Sequence, residues 1–264
     1  MNRFLSSTLV LALVALLSPS TAAADEGFPL QISAGLKGGV NGVAGYGFDN
    51  PSRYTVDNTT YEFNPEYYGH FGLGPAGGLA LEIRAFDIVG LEFGFHYASQ
   101  TARGYVDKNQ ASTGQRITRV TSEQETTAYN IPILLKFTAP TNFVRPAFGI
   151  GVELVRQSEA SISYDEEPAA GQAGQAFLND LNANNQVRPV NYTLLQFTLG
   201  AEILAGPVRI PIELRAGYAL GYDQDIEARA EFNPAGSPRL LVDTIYMGHF
   251  GIFTGVIYEF DLRL

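Results

Sequence analysis

The chain has 264 residues, with 28 Gly, 14 Tyr, 17 Phe, no Trp, no Cys and a formal charge of -10 at pH 7. Charged residues are 17%, below the roughly 25% usual in soluble domains, and hydrophobic residues are an ordinary 45%, which excludes both a disordered chain and a bundle of membrane helices. The acidic balance excludes nucleic acid as a partner, and the lack of cysteine excludes disulfides, thiolate catalysis and Cys-based zinc sites.

Residues 1–24 read as a secretory signal peptide: Arg3, an apolar run from Leu9 to Leu17, a break at Pro19, then Ala22, Ala23 and Ala24 before the expected cut. The apolar run is about half the ~20 residues of a spanning helix. One domain, residues 25–264, is expected to work outside the cytoplasm.

That domain alternates with a period of two. Ile32, Ala34, Leu36, Gly38 and Val40 form the apolar side of a first strand. Leu79, Leu81, Ile83 and Ala85 lead through a Phe86-Asp87 turn into Val89, Leu91, Phe93, Phe95 and Tyr97, a hairpin with one greasy face. Tyr129, Ile131, Ile133, Leu135 and Phe137 follow, then, after a turn at 139–142, Val144, Pro146, Phe148, Ile150, Val152 and Leu154. A weak helical pattern spans Ala173 to Ala183. Leu195, Phe197, Leu199, Ala201 and Ile203 pass through Gly206-Pro207 into Val208, Ile210, Ile212, Leu214, Ala216 and Tyr218, and Phe250, Ile252, Thr254, Val256, Tyr258, Phe260 and Leu262 close the series at eight strands.

None of those positions carries a charge. The alternate side holds Lys37, Glu82, Arg84, Glu92, Lys136, Arg145, Glu153, Glu202, Arg209, Glu213, Arg215, Glu259 and Asp261, interleaved with glycines such as Gly90, Gly149 and Gly200. A soluble sandwich would solvate the charged face. Small residues beside charges fit better inside a narrow barrel, where they make room for large neighbours. Tight links near 86–87, 139–142 and 206–207 alternate with long polar ones near 43–70, 102–126, 158–190 and 223–243, as periplasmic turns and external loops do in outer-membrane barrels. Two aromatic girdles are expected, from Phe86, Phe137 and Phe143 at the turns and Tyr97, Tyr129, Tyr192, Tyr218, Tyr222 and Tyr246 toward the loops. The predicted fold is an all-β, eight-stranded antiparallel transmembrane up-and-down barrel.

The phrases LALEIRAFDIVGLEFGFHY (79–97), IPILLKF (131–137), VRPAFGIGVEL (144–154) and IPIELRAGY (210–218) make the chain resemble the small bacterial outer-membrane β-barrel family of OmpX and the transmembrane domain of OmpA. The resemblance implies a barrel in the outer membrane of a Gram-negative bacterium, with both termini periplasmic, in contact with lipid and lipopolysaccharide and inserted by the outer-membrane assembly machinery. That machinery usually meets a C-terminal aromatic residue, whereas this chain ends in Leu264.

Glu82, Arg84, Glu92, Lys136, Arg145, Glu202, Arg209, Glu213, Glu259 and Asp261 are expected to form a structural cluster of ion pairs plugging the turn half of the lumen, since buried charges need partners. Above it, small inward residues predict a shallow pocket open toward the loops. His96 and His249 fall on inward phases, His70 lies near the end of the first loop, and no Gly-x-Ser-x-Gly elbow occurs, so satisfied lumen histidines are expected rather than a hydrolytic site. The acidic loops match no calcium-loop spacing. No catalytic, cofactor or metal residue is predicted. The expected role is non-enzymatic, envelope integrity or attachment through loops that meet an extracellular ligand; the alternatives are a narrow small-solute channel and a lipid-modifying barrel enzyme.

Overall fold

A computed structural model describes residues 29–263, apart from 47–51, 57–58, 66–68, 111, 168–178, 180–181, 183–184, 188, 223–225 and 229–245. The proposed signal peptide and most of the 223–243 link lie outside the described residues. Among the described residues twelve strands follow in order: β1 (Pro29–Tyr46), β2 (Ser52–Val56), β3 (Thr59–Pro65), β4 (Gly69–Ala85), β5 (Val89–Gln110), β6 (Arg116–Thr138), β7 (Val144–Glu167), β8 (Asn185–Val187), β9 (Asn191–Ala205), β10 (Val208–Leu220), β11 (Ile226–Ala228) and β12 (Tyr246–Arg263).

Eight of them form a ring. The antiparallel ladder runs β5-β4-β1-β12-β10-β9-β7-β6, and pairing of β5 with β6 closes it, so each ring strand has two neighbours within the ring. The first and last strands meet along their whole length, from Pro29 opposite Arg263 to Tyr46 opposite Tyr246. Closure satisfies the backbone amides within the wall, the condition for a sheet to stand in lipid.

The turns are where the spacing places them. Phe86 and Asp87 adopt φ of 55° and 59°, and Ile88 N donates to Ala85 O at 3.1 Å, a tight primed turn that reverses the chain between Ala85 and Val89. At the third turn Gly206 has φ of 61°, a conformation glycine adopts without Cβ strain. The links on the opposite end differ from expectation. The 102–126 segment is almost wholly strand, with β5 and β6 paired as far as Asn109 and Arg116. The 43–70 segment carries the β2–β3 hairpin, whose Tyr61–Pro65 edge adds to Val106–Gln110 of β5. In the third link, Asn179 and Asn182 are helical, inside the predicted helical stretch.

The two faces lie as the alternation requires. Leu36, Leu79 and Leu199 are 63%, 62% and 62% exposed, while Arg84 and Glu92 on the opposite face are 1% and 0% exposed. The apolar side therefore points away from the axis and the ionic side is sealed within. An exterior belt of this size in water would be an aggregation surface; in lipid it is the solvated face. Tyr97, Tyr129 and Tyr218 stand exposed toward the loop end, and Phe86, Phe137 and Phe143 toward the turn end. Tyr192 and Tyr222 do not belong to a girdle: both are buried inside the ring, with their rings 4.8 Å apart edge to face.

Candidate functional site

The lumen is where the chemistry-bearing side chains converge, and its turn half is an ionic network with an internal order. Lys37 Nζ lies 2.6 Å from Glu92 Oε2 and 2.7 Å from Glu213 Oε1, and Arg215 Nη2 lies 2.8 Å from Glu213 Oε2 and 3.5 Å from Glu92 Oε1. These two cations and two carboxylates make a neutral quartet. A second quartet stands beside it. Arg84 Nη2 lies 2.6 Å from Glu82 Oε1 and 2.7 Å from Glu202 Oε1, and Arg209 Nη1 lies 3.3 Å from Glu82 Oε2 and 3.2 Å from Glu202 Oε2.

Lys136 joins the quartets. Its Nζ is 2.9 Å from Glu213, 3.1 Å from Glu92, 3.3 Å from Glu202 and 3.9 Å from Glu82. Its extra positive charge is matched at the rim by Glu259, whose Oε2 sits 2.8 Å from Arg209 Nε. Such a network stands because its charges have partners: removing one partner from a buried pair costs about 3–5 kcal/mol.

Glycines supply the room. A Cβ on Gly90 would fall 2.4 Å from Glu82 Oε1, and one on Gly149 would fall 2.4 Å from Thr198 Oγ1 and 3.4 Å from Lys136 Cγ. Lys37 is flanked across both ladders by Gly78 and Gly255.

Of the residues the sequence places in this cluster, Glu82, Arg84, Glu92, Lys136, Glu202, Arg209, Glu213 and Glu259 are brought together. Arg145 is not: it turns to the rim, where Nη1 meets Asp87 Oδ1 at 3.4 Å, because its strand begins only at Val144 and its side chain lies below the network. The side chain of Asp261 lies outside the described residues. Lys37 and Arg215 are the members that sequence reasoning left out. Both stand on the inward phase, but they are far along the chain from any turn, and only the pairing of strands brings them level with Glu92 and Glu213.

Above the quartets the ring of His96 stacks on Phe253 at 5.6 Å, and the guanidinium of Arg215 lies 4.3 Å over the other partner of that stack, the Phe253 ring. Glu153 is buried beside Arg215, Asn130 and Gln196. Among the described residues the space where a pocket is expected is largely filled. Val43, Ala102, Ala128, Val155, Tyr192, Leu194, Ala219, Tyr222 and Met247 pack into an apolar layer across the lumen. Between Val43, His70, Gln100, Gln124, Thr126, Gln157, Tyr192 and Met247 lies a cavity of about 10 Å³, the space of one water molecule. The inward phase reads as small residues in β1 and β5, but Leu194, Tyr192 and Val155 opposite them fill the gap.

His70 and His249 are each half satisfied. His70 Nε2 lies 2.9 Å from Ser122 Oγ and His249 Nε2 lies 2.6 Å from Tyr192 Oη, while His70 Nδ1, His249 Nδ1 and His96 Nε2 are buried without a hydrogen-bond partner. The His70–Ser122 pair has no acidic group on Nδ1 to orient it and faces the lumen rather than lipid, so it lacks the third member of a hydrolytic triad.

A closed eight-stranded ring with an apolar exterior, an aromatic belt and an ionic interior defines an outer-membrane-type transmembrane β-barrel. No protein-family model and no curated protein sequence matches the chain. Among solved structures it is similar to the outer-membrane protein OprG from Pseudomonas aeruginosa (12% identity, 89% of this chain and 97% of that one, TM-score 0.36). It is also similar to the outer-membrane protein AlkL in lipid bilayers (14%, 94% and 97%, TM-score 0.38) and to the outer-membrane protease OmpT from Escherichia coli (10%, 92% and 99%, TM-score 0.34). The architecture stands on the closed ladder of this chain rather than on these likenesses.

Proposed function

We propose that this protein is a non-enzymatic component of a Gram-negative outer membrane, with both termini periplasmic, a structural plug for a lumen, and a working surface beyond the membrane. The observation that carries the reading is the closure of the described lumen, ionic in its turn half and apolar above. A spanning strand needs about 9–11 residues, whereas β5, β6 and β7 have 22, 23 and 24. The excess carries polar outward side chains, including Thr101, Arg103, Glu123 and Glu125, above the Tyr97–Tyr129 pair. Together with the β2–β3 hairpin it forms a wall at the height of lipopolysaccharide sugars, suited to envelope integrity or to an extracellular ligand. Assembly machinery and lipopolysaccharide are the partners this reading requires.

Two measurements test it. Purified protein in a planar bilayer is expected to give no step-like conductance of nanosiemens size, and protease added to intact cells is expected to cut within the 47–68 or 223–245 links and nowhere in the ring. Steady open-channel steps would replace the plug with the narrow-channel reading. Cleavage only after the outer membrane is breached would reverse the orientation.

A further inference from the structure

The loop-end cavity has a chemistry that neither the plug nor the wall uses. One row of inward positions crosses five strands there. Gly45 of β1 pairs with His70 of β4 on one side and with Met247 of β12 on the other, and beyond His70 come Gly104 of β5 and Ser122 of β6, themselves paired. His70 and Met247 both line the cavity and are 4% and 7% exposed. Met247 is the chain's only methionine besides Met1.

The hydrogen bonds select the tautomer of His70. Ser122 Oγ donates to the carbonyl of Gly104 at 3.3 Å, which uses its single proton. The 2.9 Å contact between Ser122 Oγ and His70 Nε2 is then a donation from the imidazole N–H. Nδ1 is left as the lone-pair nitrogen, buried and without a partner. A neutral imidazole whose other nitrogen donates to a fixed acceptor is the arrangement found behind histidine metal ligands. Gly104 makes it possible, since a Cβ there would sit 2.9 Å from Ser122 Oγ and 3.1 Å from the His70 ring.

Spacing and softness narrow the ligand. With bare Gly45 between them, His70 and Met247 stand two strand spacings of about 4.8 Å apart, roughly 10 Å between Cα atoms. Two inward side chains reaching roughly 3–4 Å each, plus metal–ligand bonds of about 2.0–2.3 Å, can close that span. Among the described residues no three His, Asp or Glu side chains group as ligands for a harder ion. A thioether beside an imidazole, in a cavity whose other polar lining is the uncharged Gln100, Gln124, Thr126, Gln157 and Tyr192 rather than a carboxylate, favours a soft, singly charged metal.

We propose that His70 and Met247 form a binding site for one soft monovalent cation, of the copper(I) or silver(I) kind, in the cavity at the loop end of the lumen. The site is independent of the plug reading, which conductance tests separately. Silver(I) is the probe, as it needs no reductant. It is added in chloride-free buffer to the full-length protein in detergent micelles, labelled with ¹⁵N and with ¹³C at the methionine methyl, and in a second sample is present during refolding so that entry cannot limit binding. The expected result is saturation at one equivalent, with the Met247 methyl and the His70 Nδ1 signals moving while those of His96 and His249 stay. Met247→Leu, which conserves volume, and His70→Gln are each expected to weaken binding at least tenfold, and Ser122→Ala by about 10–100-fold through loss of the tautomer lock. An unmoved Met247 methyl in both samples means that the cavity holds water only and overturns the proposal, a readout that depends on no variant. Undiminished affinity in folded Met247→Leu overturns it equally.

Discussion

Replacing Glu202 with Gln removes the carboxylate on which Arg84 closes two hydrogen bonds, at 2.9 and 2.7 Å, and which Arg209 and Lys136 also reach, at 3.2 and 3.3 Å. The quartet it leaves has two guanidinium groups against the single carboxylate of Glu82, so the cost should be that of an unpaired buried charge, about 3–5 kcal/mol. Lys136→Met removes the bridging cation but leaves each quartet neutral, and its cost should sit at the low end, about 3 kcal/mol. The double variant deletes one charge of each sign. It should therefore be more stable than the sum of the two losses by about 1–3 kcal/mol, the size of coupling seen between residues of one network. Equilibrium urea unfolding in phospholipid vesicles measures all four corners of the cycle, followed by β-sheet circular dichroism because the chain has no tryptophan. A cost below 1 kcal/mol for Glu202→Gln, or strict additivity in the double variant, would refute the division into two neutral quartets.

The lipid face gives a contrast between positions of equal exposure to the outside but different height. Leu79→Arg, in the apolar belt, should cost about 2–4 kcal/mol and lower the yield of assembled barrel in the membrane fraction, whereas Thr101→Arg above the tyrosines should change stability by under about 1 kcal/mol. Gly90→Val pushes a side chain onto a Glu82 carboxylate that Arg84 holds at 2.6 Å, so the carboxylate has nowhere to move; a loss of about 1–3 kcal/mol is expected in the same unfolding assay. Asn182 lends its side chain to the open edge of β7, accepting from Tyr164 N at 2.7 Å and donating to Tyr164 O at 3.0 Å. Asn182→Ala should speed hydrogen exchange at the Tyr164 amide by the equivalent of about 1–2 kcal/mol while leaving the ring strands protected.

The ring strands were legible because two solvents act on them. Where lipid wets one face and the packed lumen the other, Leu79, Leu81 and Ile83 must alternate with Ala80, Glu82 and Arg84, and the period of two survives in the text of the sequence. Past the tyrosines water wets the exterior, so Thr101, Arg103, Glu123 and Glu125 face out and the contrast fades. The ladder between β5 and β6 nevertheless continues, because backbone hydrogen bonds do not depend on that contrast, and a strand pair reads as a loop. Apolar residues on the inward phase were the second source of error. Leu134, Leu194 and Ile257 are buried at 0%, 0% and 1% exposure inside the ring, and a sequence that is apolar on both phases no longer says which side is which. The ionic cluster was half legible for a related reason. Phase identifies an inward charge, but only the tilt and register of strands decide height, and height separates Lys37 and Arg215, which join the network, from Arg145, which does not.

Closure of the lumen and closure of the ring are one event in this fold. Lys37 of β1, Glu92 of β5, Lys136 of β6, Glu202 of β9 and Glu213 of β10 come from five strands, and no two ring neighbours hold a complete quartet by themselves. A partly formed sheet would carry those charges singly on a surface facing lipid or an unfilled interior, where each lacks its partner and costs several kcal/mol. Pairing β1 with β12 brings the last cation and the last carboxylate into reach, so the network gains its stability only when the wall has no edge left. The apolar belt selects the membrane as the place where the barrel is stable, and the ionic interior selects the closed ring over any open arrangement of the same strands.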